Sequence, residues 1–213
     1  MALRGREGWK ALLGLCALAV VVACATFTSA SARADLSAAA LKCGHDRWDV
    51  KTLSDDARGA VDAKHPKVRT IDWLVMQQHD PIHKDTALIT GFESTVFIVK
   101  DVTLVEAKKE GDKDIHLVIR DDHAPPTHHM IVEFPNPTCG VKRFTSAVAK
   151  ARGGIEDYMK TCGRVVKGWT QLRGTATIRG VGFFDLPHPT KQHGVADNDA
   201  ELHPALGFTG SCG

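Results

Sequence analysis

Between Thr95 and Val105 the chain shows no helical period: Thr95-Val96-Phe97-Ile98-Val99 and Val102-Thr103-Leu104-Val105 are β-branched and apolar. Side chains branched at Cβ fit a pleated, half-buried surface and lose rotamer freedom in a helix, so the run reads as one long strand with a bend in it. That strand constrains the rest of the fold, because its backbone groups need partners on both edges. A turn at Glu110-Gly111-Asp112 leads to a second strand, Ile115 to Arg120, and a Pro-rich loop leads to a third, His129 to Phe134. Pro135-Asn136-Pro137 halts the sheet. Phe144, Val148, Ala151, Ile155 and Met159 then recur at near-helical spacing, which predicts a helix from Thr145 onward. Gly153-Gly154 weakens its middle by roughly 1 kcal/mol per glycine. Two more strands, Thr175 to Phe184 and Glu201 to Phe208, close the chain.

The order β-β-β-α-β-β, with a long first strand, is that of the OB fold. The fold class is therefore mainly β (α+β): a small five-stranded OB-like barrel with one helix between strands 3 and 4. Another small β-barrel, or a sandwich with a helix plug, is the alternative. The barrel occupies residues 91–213. Residues 35–90 are rich in breakers, with Pro66 and Pro81 at the bends, and read as an extended arm that anchors through Trp48, Val50, Ile71, Trp73, Leu74 and Val75.

Residues 1–34 read as a secretory signal peptide. Arg4, Arg6 and Lys10 precede an apolar run from Ala11 to Ala25, and Ala32-Arg33-Ala34 offers a small-x-small cleavage site before Asp35. The apolar run is too short for a permanent membrane helix, which needs about 20 residues. Val21-Val22-Ala23-Cys24 suggests an alternative, a lipid anchor on Cys24. Either way the domain is exported, to the periplasm or outside the cell. The whole chain has a net charge of +2, but the leader carries Arg4, Arg6, Lys10 and Arg33 against Glu7 alone. The mature chain is thus close to neutral and lacks the basic surplus of a dedicated nucleic-acid binder. Cleavage leaves Cys43, Cys139, Cys162 and Cys212, an even number suited to two disulfides in an oxidising compartment, with three pairings open.

Five phrases carry a resemblance. They are Trp48-Asp49-Val50-Lys51-Thr52, Asp114 to Ile119, Met130 to Pro135, Gly180-Val181-Gly182-Phe183-Phe184-Asp185, and Gly194-Val195-Ala196-x-Asn198-x-x-Glu201-Leu202-His203-Pro204. Together they resemble a widespread group of exported bacterial hypothetical proteins, across essentially the whole mature chain. That group has no established activity, so the resemblance implies export and architecture, not a reaction. Because cysteines like Cys43 and Cys139 occur together there, it also implies the pairs Cys43–Cys139 and Cys162–Cys212. The chain departs from the group at Pro189 to His193, where it has extra basic and histidine character, and this bears on any shared role of His188.

Asp185, His188, His193, Asn198, Glu201 and His203 fall within 19 residues of one connection and make the richest chemical cluster. Imidazoles and carboxylates in such proximity could supply a general base, with Glu201, His203 and His188 the catalytic candidates. They could also ligate a divalent metal through His188, His193 and His203. The competing reading is structural. Glu201 and His203 share one face of the last strand, so they would form a buried hydrogen-bonded pair while Asn198 satisfies the turn before it.

The remaining candidates are weaker. His79, His83, His128 and His129 read as solvated loop or strand-start residues, and His116 as a hydrogen-bonded sheet residue. Asp112/Asp114 and Asp121/Asp122 read as turn chemistry without the spacing of a calcium loop. There is no Gly-rich phosphate loop and no Gly-x-Ser-x-Gly elbow. On an OB barrel the ligand face lies on strands 2 and 3, which here offer His116, Arg120, His129 and Glu133. The sequence thus supports a non-enzymatic binding or interaction domain without a cofactor, its partner a ligand or an envelope protein. The alternative is a metal-dependent hydrolase, with nucleic acid among its substrates, that places His188, His193, Asn198, Glu201 and His203 around the ion. A purely structural envelope component is a third reading.

Overall fold

A computed structural model describes residues 43–44, 46–122, 128–188 and 193–213, without the side chain of Arg58. The signal peptide, its cleavage site and Cys24 lie outside the described residues.

The long strand β2 (Thr95–Lys109) is bent as the sequence requires. The bend falls at Lys100-Asp101, where Asp101 has φ +53° and the register with β7 slips between Val99 and Val102. A slip of this kind adds a residue to one strand and turns it sharply. β2 can therefore pair with two neighbours in succession: β7 (Thr175–Phe184) along its first half and β3 (Ile115–Arg120) along its second. β3 runs antiparallel to β4 (His129–Phe134), β4 parallel to β8 (Ala200–Ser211), and β8 antiparallel to β7. The circuit β2-β3-β4-β8-β7-β2 is closed, and it is the OB-like barrel expected from the element order.

Alternation along the strands sorts the side chains. Leu104, Leu117, Ile119, Met130, Val132, Phe134 and Leu202 fill the barrel. The helix α3 (Thr145–Cys162) adds Ala151, Ile155 and Tyr158 to the same core, so its apolar stripe plugs the barrel. A second apolar cluster lies on the outer wall, where Val96, Val181 and Phe183 meet Val50, Leu53 and Val61 of the N-terminal segment.

Residues 46–90 hold the short helix α1 (Trp48–Lys51), a 3-10 turn (Asp56–Ala60), β1 (Asp62–Val68) and the short helix α2 (Ile71–Val75). β1 adds to the sheet in parallel beside the start of β2. A buried ion pair, Arg47 with Glu93 at 2.7 Å, locks this segment to the barrel. Arg47 also donates to the carbonyl of Thr86, and Glu93 accepts from the amide of Phe184 at the end of β7. A hairpin of β5 (Arg164–Val166) and β6 (Trp169–Gln171) extends the far edge of β2.

The disulfides are Cys43–Cys139 and Cys162–Cys212, the pairs the resemblance implies. The first ties the N-terminal segment to the loop before α3, and the second ties the end of α3 to the end of β8. Among the described residues no helix is long and apolar enough to cross a membrane.

Candidate functional site

Since Leu117, Val132 and Leu202 point into the barrel, the residues on either side of them point out. His116 on β3, Glu133 on β4, and Glu201 and His203 on β8 therefore share the outer wall. The registers bring them together: His116 pairs with Glu133, and Ile131 with Glu201. Asp114, at the end of the β2–β3 loop, continues the same face of β3. Asp185 follows β7, and Lys51, the last residue of α1, reaches over from the N-terminal segment to within 3.1 Å of it. The wall formed by β3 and β4, the second and third strands of the barrel, flanked by the loops β2–β3 and β7–β8, is the ligand face of the OB architecture.

The floor of the site is dry. Asp114, Glu201 and His203 are 1%, 4% and 2% exposed. Towards the edge, the side chains of Lys51, Asp185, His116 and Glu133 keep between 12% and 19% of their surface. At this edge the charges are paired. Lys51 faces Asp185, and His116 Nδ1 lies 2.8 Å from Glu133 Oε1 while its Nε2 lies 3.2 Å from the carbonyl of His193. On the floor the polar atoms are left over. Among the described residues, Asp114 Oδ2, Glu201 Oε1 and both ring nitrogens of His203 have no hydrogen-bond partner, nor does Glu133 Oε2. His203 Nε2 stands 3.6 Å from Asp114 Oδ2, beyond hydrogen-bond range. The hydrogen-bonded Glu201–His203 pair of the structural reading is not formed.

Electrostatics follow from this placement. Burial, reinforced by Glu133 and Asp112, pushes the Asp114 carboxyl up to about 8. Burial and the neighbouring charge of Asp185 raise Glu201 well above the carboxylate range. Burial, with the Lys51 charge beside it, holds His203 well below the ordinary imidazole value. Lys51 is the counterweight: burial opposes its charge, but Glu201, Asp185 and Glu133 outweigh burial and raise it. For His116 too, burial opposes the charge and Glu133 overcomes it, raising the imidazole. The site thus holds Asp114, which keeps its proton up to about pH 8, beside a second acid, Glu201, whose pKa is raised, and an imidazole, His203, whose charge is disfavoured, with two ion pairs at its edge. Perturbed groups converging in this way are a mark of functional sites.

The other residues of the sequence cluster go elsewhere. His188, 40% exposed, sits 3.5 Å from Asp199 and 3.8 Å from Asp185. His193 lies 2.8 Å from Glu106 and stacks on Trp169 at 4.3 Å between ring centres. Asn198 secures the turn: it donates to the carbonyls of Leu74 and Gln77 and accepts from the amide of Ala200. His188, His193 and His203 thus have separate sets of partners. Among the described residues, no group of three or more His, Cys, Asp or Glu is disposed to hold a metal ion.

Lys51 enters the site without having been a candidate, and Asp114 after a reading as turn chemistry only. A single lysine in a four-residue helix gives no sequence signal. Asp114 does perform the turn chemistry the sequence suggests, accepting from the amide of Asn136, but with only one of its two oxygens. No family model, curated protein or solved structure matches the chain.

Proposed function

We propose that this chain is an exported binding domain that takes a small polar ligand on the outer wall of β3, β4 and β8, between the β2–β3 and β7–β8 loops. One observation carries the reading: polar atoms of Asp114, Glu133, Glu201 and His203 are buried on one face with no hydrogen-bond partner among the described residues. An unpaired buried polar group costs about 1–3 kcal/mol, so a fold that keeps several together is holding hydrogen-bonding capacity for something else. Two disulfides support export, since such bridges persist in oxidising compartments.

Ligand-observed NMR of the mature protein against a mixed set of small amines, sugars and polyols tests this reading. Binding that is lost in both Glu201→Gln and His203→Leu, with each variant folded, is the expected result. Binding that survives both variants places the ligand elsewhere. Turnover of a nucleic acid, glycan or peptide that vanishes in Glu201→Gln would replace the binding domain with an enzyme.

A further inference from the structure

We infer, resting on the binding face just proposed, that the ligand presents an organic cation, a primary ammonium or a guanidinium, to Asp114, Glu133 and Glu201. The inventory of the site leads there. Four carboxyl groups, Asp114, Glu133, Asp185 and Glu201, face three basic side chains: Lys51 pairs with Asp185, His116 with Glu133, and burial with the Lys51 charge holds His203 neutral. Lys51, paired with Asp185, is shared as the counter-charge of Asp114 and Glu201, so the two acids have no cation of their own among the described residues. Three of the unpartnered atoms are carboxyl oxygens, one on each of Asp114, Glu133 and Glu201. An ammonium brings three N–H donors and a guanidinium five, and neither accepts, so either satisfies oxygens and supplies the missing charge together. A neutral polyol would satisfy the hydrogen bonds while leaving the proton on Asp114 in place.

The two classes differ in their coupling to protons. In the empty site Asp114 keeps its proton up to about pH 8 because it is buried beside Glu133 and Asp112. A cation docked against it takes the place of that proton. Lys51 from α1, Glu133 from β4 and Glu201 and His203 from β8 also face Asp114. Of these, His203 stays neutral through this range, because burial and Lys51 hold it so. Glu201, raised as well, adds to the proton release rather than opposing it.

The test is titration of the folded mature protein with agmatine and n-butylammonium, and in parallel with glucose and xylitol, at constant ionic strength and several pH values. The His203 ring resonances and calorimetry serve as readouts. A cation that displaces one proton should bind about tenfold more tightly per pH unit from pH 6 up to about 8, then level off. Asp114→Asn should flatten that slope, and Glu201→Gln should weaken agmatine at least about tenfold. If glucose or xylitol binds and the cations do not, the binding face stands and the cation falls. Agmatine binding that is independent of pH, or that survives both substitutions, overturns the inference. So does a folded protein whose His203 resonances respond to neither class.

Discussion

Asp114 and His203 stand 3.6 Å apart with both side chains 2% exposed, and burial acts on them in opposite directions. An acid whose folded pKa is raised from 3.8 to about 8 binds more protons folded than unfolded between those values, so its contribution to stability falls as pH rises across that window. The loss is bounded at about 1.4 kcal/mol per pH unit. A histidine whose folded pKa is depressed below 6.5 binds fewer protons when folded, so its contribution falls as pH drops below that value. Above about 6.5 His203 no longer contributes a slope, while Asp114 and the raised His116 both act in the same direction, and stability should decline towards pH 8. Asp114→Asn retains an oxygen for the Asn136 amide and removes the charge. Thermal melts should therefore show this variant gaining on the wild type progressively between pH 6 and 8, by roughly 1 kcal/mol or more at the upper end. Equal shifts at both pH values would mean that Asp114 is not protonated in the folded protein. At this scale the sequence exposed five of the site's seven residues. Glu201, His203 and Asp185 were legible because they cluster within 19 residues of one connection, and His116 and Glu133 because they lie on the OB ligand strands. Lys51 and Asp114 were not, since only tertiary pairing brings residues so far apart in sequence into one electrostatic neighbourhood.

The barrel elements were legible for the reason that makes them stable: the strands are β-branched, apolar runs, several of them buried on both faces, bounded by turn and proline signals. The pieces that escaped lack this signature. β1 contains Pro66, Lys64, His65 and Lys67 and pairs along only one edge, as strands bearing Pro and charge do. β5 and β6 are three residues each, and their turn, with Lys167 at φ +51° and Gly168 at φ +85°, is the only local cue to that hairpin. Within the barrel, the phrase Gly180-Val181-Gly182 has a physical reason. A Cβ on Gly182 would lie 2.7 Å from the Phe97 ring and 2.8 Å from the Phe92 carbonyl, and one on Gly180 would lie 2.8 Å from Leu202 Cβ. The glycines let β7 bend tightly against its neighbours. Gly182→Ala should cost about 1–3 kcal/mol in chemical denaturation, the usual penalty of overpacking, because a backbone carbonyl yields less readily than a side-chain tip. A melt unchanged from wild type would show that the strand relaxes freely at that point.

Across the whole molecule, the N-terminal segment and the barrel complete the site jointly: α1 supplies Lys51, and β3, β4 and β8 supply the acids and His203. Three features hold the segment in place, namely the second apolar cluster, the buried Arg47–Glu93 pair and the Cys43–Cys139 bridge. The bridge closes a sequence separation of 96 residues, for which the chain-entropy account gives a stabilisation of about 4–5 kcal/mol. The barrel circuit itself closes without the segment, and Cys162–Cys212 holds α3 to β8 independently. Replacing Cys43 and Cys139 together with Ser should therefore act unevenly. Amide hydrogen exchange should speed up most in α1 and in β1, whose hydrogen bonds answer to the segment's docking, and least in β3, β7 and β8. The Lys51–Asp185 contact should loosen in step, and with it the counter-charge that Lys51 supplies to Glu201, so agmatine binding should change as α1 becomes mobile. Uniform acceleration across segment and barrel would show a single cooperative unit. Exchange confined to the segment, with the binding face altered alongside it, would show the site depends on a docked element whose position the disulfide maintains.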